Sequence, residues 1–209
     1  MNTNDPIIID ITESTTRSVV VDSAHNQTIV AICTSDTDIN LHLEVELAAP
    51  GATADIYVLA HAVGTSEVRV HTIQHHTAPD TTSNLLVKHI GGDASHFQFE
   101  GLIRIEKVAQ RSNAYQRSES LLVSGMAQAK NKPELEILAN DVRCTHGSVT
   151  KHISEEELWY LRSRGMSRGA GSKLLVEGFI EPVVSYIPAL NPLKKKIEVR
   201  DFSLVADIS

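Results

Sequence analysis

The sequence predicts a mainly β fold over residues 1–150, followed by a short helical segment and a tail over residues 151–209. Short apolar–polar alternations recur at fairly regular intervals in the first part, and no helical pattern interrupts them. Aromatic residues make up only 4% of the chain, so the core must be built from valine, isoleucine, leucine and alanine. No strict motif repeats, and the pattern therefore leaves an all-β sandwich, a barrel and a β-solenoid open.

The strands follow from this alternation. The clearest one runs from Ile39 to Leu47, where every second residue is aliphatic and the others are polar. Pro50 and Gly51 then turn the chain. The other strands of this part are predicted at residues 7–11, 19–21, 28–33, 54–63, 67–75, 84–90 and 97–106.

Residues 135–141 are predicted to form a strand and a corner. Leu135, Ile137 and Ala139 recur at the period of a strand with one buried face. Asn140 and Asp141 favour a corner or a bulge, because both side chains hydrogen-bond locally to the backbone.

Cys144 and His146 are the most suggestive pair of side chains. They share one face of a short extended run that also carries Val142 and is predicted to end at Gly147. Side chains two residues apart on a strand point the same way, with Cα atoms roughly 7 Å apart. A thiol and an imidazole are soft-metal ligands, but two of them fall short of the four that a closed site needs. From the residues alone, Cys144 equally fits an ordinary buried thiol, and His146 a turn residue.

The helical segment has clear start and stop signals. Ser154 and Glu157 form a capping box, which predicts a helix over residues 155–164 that stops at Gly165. Ser167 can cap a second helix, after which Pro182 and Pro188 restrict the backbone. The sequence from Lys194 to Leu204 fits either a strand or a loose extension.

Charge, hydropathy and cysteine content disfavour several kinds of partner and location. The formal net charge of −7 disfavours nucleic acid or an anionic membrane surface as the main partner. The chain has no apolar run of membrane-spanning length and no signal-peptide pattern at its start. Cys33 and Cys144 are the only cysteines, which disfavours a disulfide scaffold and predicts a reducing, cytoplasmic location.

Enzyme motifs are absent. Residues 169–173 are glycine-rich but lack the spacing of a phosphate-binding loop, and they fall inside a helical pattern. There is no nucleophile elbow and no HExxH zinc motif. We therefore expect a protein that is not an enzyme.

Residues 139–165, ANDVRCTHGSVTKHISEEELWYLRSRG, resemble the SufB/SufD family of iron–sulfur cluster assembly proteins, and the SufD branch more closely. The matching blocks are Asp141-Val142, the run from Cys144 to Gly147, and the run from Tyr160 to Gly165. The chain departs from the family at Asn140, where an aspartate is usual. The resemblance implies a right-handed parallel β-helix, from about residue 18 to 150. Solenoids need covered ends, and the C-terminal helices could cover one. The chain as given has no room for the larger helical N-terminal region of many relatives.

The resemblance also implies a role for the cysteine and histidine. The SufD-type pattern places its interface cysteine and histidine at Cys144 and His146, where they would bind an iron–sulfur cluster transiently. A SufB-type paralogue or a second copy of the chain would complete the ligand set. The cysteine of the SufB-type scaffold would fall near Ser118, and the SufB-type pattern carries acidic residues at positions 144 and 146. Both differences favour the SufD branch.

The helical end is the implied docking surface for a SufC-type ABC ATPase, through Arg162, Arg164, Glu157 and Tyr160. Without the resemblance, these residues fit an exposed charged helix face. The expected function is a scaffold subunit of a SUF-type cluster assembly complex that works with this ATPase.

Two alternatives to a scaffold subunit stay open. One is a noncatalytic β-solenoid interaction module that docks the ATPase without binding a cluster. The other is a small all-β metalloenzyme that uses the histidines, of which His71, His75 and His76 are the tightest set, followed by His61 and His89. However, on a strand His71 and His75 share a face roughly 13 Å apart, too far to bind one ion together.

Overall fold

Two parallel β-sheets wound into a solenoid form most of the molecule. The structure is a computed structural model that describes residues 5–184. Successive strands alternate between a six-stranded sheet of odd-numbered strands and a five-stranded sheet of even-numbered ones, which gives about five turns. The strands are β1 (Ile7–Ile11), β2 (Thr15–Val21), β3 (Asn26–Ser35), β4 (Ile39–Leu47), β5 (Thr53–Ala62), β6 (Glu67–His76), β7 (Thr82–Gly91), β8 (His96–Ile105), β9 (Ser112–Leu122), β10 (Gln128–Ile137) and β11 (Val142–His152). The predicted β-solenoid is confirmed, and the sandwich and the barrel, which the strand pattern had left open, are wrong.

The core lies between the two sheets and is aliphatic in its first turns. On β4 every second side chain is buried, as the alternation predicted. Hydrogen bonds between side chains on the outer face help to fix the register of β3, β5 and β7. The carboxylate of Asp55 on β5 accepts 2.9 Å hydrogen bonds from Asn26 on β3 and from Asn84 on β7. Each of those partners is 29 residues away, so the turns here have one constant length.

Several predicted strand boundaries were wrong. The solenoid begins at β1, which pairs with β3, rather than near residue 18. The whole of β9 and the first half of β10 were missed. β11 passes through Gly147 and continues to His152, so this glycine does not end the strand. The predicted corner at Asn140 and Asp141 is present, but it begins earlier, at residue 138, because the strand ends at Ile137 and not at Ala139.

Two helices follow the last strand, α1 (Glu155–Ser163) and α2 (Arg168–Val184). The Ser154 hydroxyl accepts from the Glu157 N–H at 3.3 Å, and Gly165 has a φ of +88°, so both predicted end signals of the first helix are confirmed. The second helix continues through Pro182, which was predicted to follow it. Pro188 and the stretch from Lys194 to Leu204 lie outside the described residues. No helix within residues 5–184 is long and apolar enough to cross a bilayer.

The second helix packs against the side of the solenoid. Its apolar residues form one buried cluster with side chains on the outer face of the odd-numbered sheet: Leu59, Ile90, Leu121, Val176, Ile180 and Val184. The Lys88 ammonium pairs with Glu119 on the same outer face and lies 4.2 Å from the ring centroid of Phe179. The expectation that the helices cover an end of the solenoid was therefore wrong for the described residues.

Candidate functional site

The candidate site is the C-terminal end of the solenoid, which we call the open end and define as the inward faces of β10 and β11. These strands are the last of their sheets, and each pairs with only one neighbour within the described residues. Leu135 and Ile137 lie in register with the fully buried Ile103 and Ile105, yet 40% and 38% of their surface is exposed. The sequence predicted a buried face here. That prediction is correct at Ala139, which is buried, and wrong at Leu135 and Ile137, because no described turn lies above β10.

Cys144 and His146 both lie at the open end, on the inward face of β11. In the ladder Cys144 is paired with Ala114, and His146 is paired with Gln116. Both partners are buried core residues, whereas Cys144 is half-buried and His146 is exposed. The period-two pattern thus predicted their shared face correctly, and the structure adds that this face opens to solvent.

The thiol of Cys144 is partly embedded in the core. It packs with Val142 against a cluster that contains Ile103, Ile105 and Ala114. Burial raises the pKa of the Cys144 thiol, an effect that a hydrogen bond with the Ala114 backbone opposes. The thiol is therefore protonated at neutral pH, and binding of a soft metal there must displace a proton.

A polar bridge occupies the other half of the open end. The Ser118 hydroxyl donates to Asn131 Oδ1 at 2.6 Å, and the Asn131 amide donates to Thr150 Oγ1 at 3.2 Å. These bonds link β9, β10 and β11 across the solenoid. His146 lies between this polar half and the apolar half made by Leu135, Ile137 and Cys144. The sequence analysis missed Asn131 and Thr150, because neither belongs to a recognisable motif.

Ser118 is buried and points into the solenoid. Its hydroxyl is used in the bridge to Asn131. A serine at this position is a poor iron ligand compared with a thiolate, so the interior here contributes hydrogen bonding rather than metal binding.

Cys33, the other cysteine, lies deep in the core near the opposite end of the solenoid. Burial, followed by the carboxylate of Asp10, raises the pKa of its thiol to about 12. It is fully buried and has no described disulfide partner. Cys33 is therefore a core side chain with no exposed chemistry.

The remaining histidines are dispersed. His71 and His75 lie on the outer face of the even-numbered sheet and pair with carboxylates, His71 with Glu100 at 3.4 Å and His75 with Glu106 at 3.2 Å. His76 and His89 point inward and are fully buried. Within residues 5–184, no group of three or more His, Cys, Asp or Glu side chains is placed to hold a metal ion. The metalloenzyme alternative thus has no site in this part of the chain, and Cys144 with His146 is an incomplete ligand set.

The helical end presents a separate surface. Glu157 and Tyr160 line a groove of about 400 Å³ between the two helices, together with Glu156, Leu161, Leu174 and Leu175. Arg162 and Arg164 are exposed beside this groove, and the Arg164 guanidinium lies 5.3 Å from the ring centroid of Tyr160. Trp159 is 68% exposed. An apolar groove with exposed aromatic and arginine side chains has the composition of a protein-binding surface.

Comparison with known proteins gives a consistent result. The family model described as "SUF system FeS cluster assembly, SufBD core domain" matches residues 10–179. The iron–sulfur cluster assembly protein SufD of Escherichia coli is 31% identical over 134 residues, which cover 64% of this chain and 32% of that protein. A SufBD family protein of Synechocystis is 34% identical over 53% of this chain and 24% of the relative. SufB of Bacillus subtilis is 28% identical over 54% of this chain and 24% of its own length. The matched segment thus spans at most about a third of these relatives.

Proposed function

The chain belongs to the SufB/SufD family of the SUF iron–sulfur cluster assembly system, and on that premise we propose that it is a scaffold subunit that holds a cluster transiently at its open end. Cys144 and His146 are the proposed ligands. The observation that carries the proposal is their placement: both lie on the inward face of the last described strand, where no other turn within residues 5–184 covers them.

The donor set fits iron–sulfur chemistry. A thiolate is the usual ligand of such clusters, and an imidazole replaces it in some of them. One chain supplies only one of each, so further ligands must come from elsewhere. The cluster is cargo in this proposal, and the chain performs no catalysis of its own.

A second chain docked on the open end would supply the missing ligands. Leu135 and Ile137 expose apolar surface there, and β10 and β11 each have one edge with no partner strand among the described residues, to which another backbone could bind. Docking would also exclude water from Cys144 and His146. We propose a SufB-type paralogue or a second copy of this chain as the partner, in the reducing cytoplasm where the free thiol persists.

Anaerobic reconstitution with iron and sulfide tests the proposal. The wild-type chain with its partners should gain visible absorption and bound iron and sulfide, and Cys144→Ala and His146→Ala should each reduce both. Cys33→Ala is the matched control, because it removes the only other thiol and should leave the cluster yield unchanged. Equal yields in all four proteins would refute the proposed site.

A noncatalytic interaction module is the second candidate. It is favoured by the environment of Cys144, whose thiol is half-buried among aliphatic residues and has a raised pKa. Such a thiol fits a core residue as well as a ligand. This candidate takes the lead if reconstitution gives no cluster while binding to the ATPase is retained.

The groove between the two helices is the proposed docking surface for a SufC-type ABC ATPase. Glu157 and Tyr160 line it, and the exposed side chains of Arg162, in α1, and Arg164, just after α1, lie beside it. Reversal of both charges, Arg162→Glu with Arg164→Glu, should weaken co-purification of the ATPase without a change in circular dichroism. The same reversal at Arg69, on the outer face of the even-numbered sheet, should have no effect. Undiminished binding by the double variant would place the docking surface elsewhere.

A further inference from the structure

Gln116 lies directly beneath His146 in the ladder of the odd-numbered sheet. The two residues are register partners on neighbouring parallel strands, so their side chains point the same way about 4.8 Å apart. His146 is exposed at the open end, whereas Gln116 is fully buried. Gln116 is therefore the buried side chain adjacent to the proposed histidine ligand on the neighbouring strand.

The amide of Gln116 is held in one orientation. Its Nε2 donates to the backbone carbonyl of Gly101 at 3.1 Å, and because that neighbour is an acceptor, the nitrogen must face it. Gly101 has no side chain, and a Cβ there would lie 2.6 Å from both amide atoms and 2.4 Å from the ring of Phe99. The glycine thus leaves space that the glutamine amide fills.

The amide oxygen has no partner. Gln116 Oε1 is buried and accepts no hydrogen bond within the described residues. A buried acceptor without a donor costs about 1–3 kcal/mol, so such a group is usually matched to a specific partner. The next side chain on the open side of the ladder is His146, whose ring carries an N–H.

Histidine ligands commonly donate their second ring N–H to a carbonyl oxygen, which fixes the tautomer and the orientation of the ring. We propose that Gln116 is a positioning residue for His146. The bond is not made in the structure, where His146 faces solvent, but its ring lies on the adjacent strand and can rotate inward toward Oε1. In that rotamer Oε1 accepts one imidazole N–H, and the other ring nitrogen is left unprotonated for the docked partner. The inference rests on the proposed function for what His146 then binds, but both groups of the proposed hydrogen bond belong to this chain.

The test is ring-nitrogen NMR of the chain labelled with ¹⁵N-histidine, with the His146 signals assigned by their loss in His146→Ala. In the wild-type protein one tautomer of His146 should dominate. Gln116→Met keeps the side-chain length and removes the acceptor, so the two ring-nitrogen shifts should move toward each other as the tautomers mix. Gln116→Glu restores an acceptor at the same length and should restore the dominant tautomer.

Gln74 provides the matched control. It is also fully buried in the solenoid with an unpartnered Oε1, but it is not a ladder neighbour of His146. Gln74→Met should therefore leave the His146 spectrum unchanged. If Gln116→Met fails to fold, Gln116→Ser provides a shorter replacement of a type already present two and four residues along the same strand.

The iron affinity of the chain together with its partners, measured by competition with a chelator, gives the second readout. The loss of such a partner typically lowers metal affinity by about 10–100-fold, and we expect this range for Gln116→Met but not for Gln74→Met. A His146 tautomer that is identical in the wild type and Gln116→Met overturns the inference. If the wild-type chain with its partners binds no iron while the His146 tautomer still depends on Gln116, the proposed function fails and the positioning role stands.

Discussion

His76 makes the folded chain sensitive to acid. It is fully buried, with Nδ1 2.7 Å from Thr81 Oγ1 and Nε2 2.8 Å from Ser83 Oγ. The Thr81 hydroxyl donates to the Ala78 carbonyl, and the Ser83 hydroxyl accepts from the amide of Gln74, so Ser83 donates to the ring. A second ring proton would face that hydroxyl hydrogen.

This environment lowers the pKa of His76 from 6.5 to about 4, mainly through burial and secondarily through the nearby His75. The unfolded chain therefore takes up a proton below pH 6.5 that the folded chain does not bind. The resulting stability is fully present above pH 6.5 and is lost as the pH falls toward 4. At 1.36 kcal/mol per pH unit, His76 should lower the free energy of unfolding by about 2 kcal/mol between pH 7 and pH 5.

Urea denaturation at pH 7 and pH 5 measures this loss. His76→Gln has no titratable group at this position, so its stability should fall by about 2 kcal/mol less than that of the wild type over this interval. His71→Gln, at a half-exposed position on the outer face, should retain the full loss. Equal losses in the wild type and His76→Gln would refute the reasoning.

Two further predictions concern the open end and the space behind it. Leu135→Glu should shift the purified complex toward single subunits in size-exclusion chromatography with light scattering, because it places a charge in the proposed contact. Val20→Glu, at an exposed position on β2, is the control and should leave the complex intact. A complex that survives Leu135→Glu would contradict the docking proposal. Gly101→Ala should lower the free energy of unfolding by about 1–3 kcal/mol, measured by thermal denaturation, because its Cβ overlaps the Gln116 amide. Gly125→Ala is the control: its Cβ meets no atom within 4 Å, and its stability should equal that of the wild type. Equal melting temperatures for the two alanine variants would contradict this prediction and show that the side chains around Gly101 shift to make room for a Cβ.

The sequence predicts strands well where their inward side chains are large and apolar. β4 was predicted with the observed boundaries, because its buried positions are all leucine, isoleucine or valine. β9 was missed because five of its six inward positions are Ser112, Ala114, Gln116, Ser118 and Ser120, and only the last, Leu122, is a large apolar residue. A solenoid tolerates such strands, since its neighbouring turns hold the backbone in register.

The candidate site was only partly predictable for a related reason. Period two places Cys144 and His146 on one face, and it separates His76 from His71 and His75 across the sheet, as the structure shows. Whether a face is buried depends on whether another turn lies above it, which is a property of strand order and not of local sequence. The exposure of Leu135 therefore became visible only in the structure.

The open end also lowers the local stability of the last described turn of the solenoid. Each turn of a solenoid touches only the turns directly before and after it, so its stability is close to a sum of nearest-neighbour terms. The turn formed by β10 and β11 has one such neighbour within the described residues, and its local opening free energy is correspondingly low. A partner docked there acts as the missing neighbour, and binding and local stability become thermodynamically linked. Backbone amides of residues 128–152 then exchange with deuterium faster than those of β5 and β7 in the free chain, and they become protected in step with occupancy of the interface.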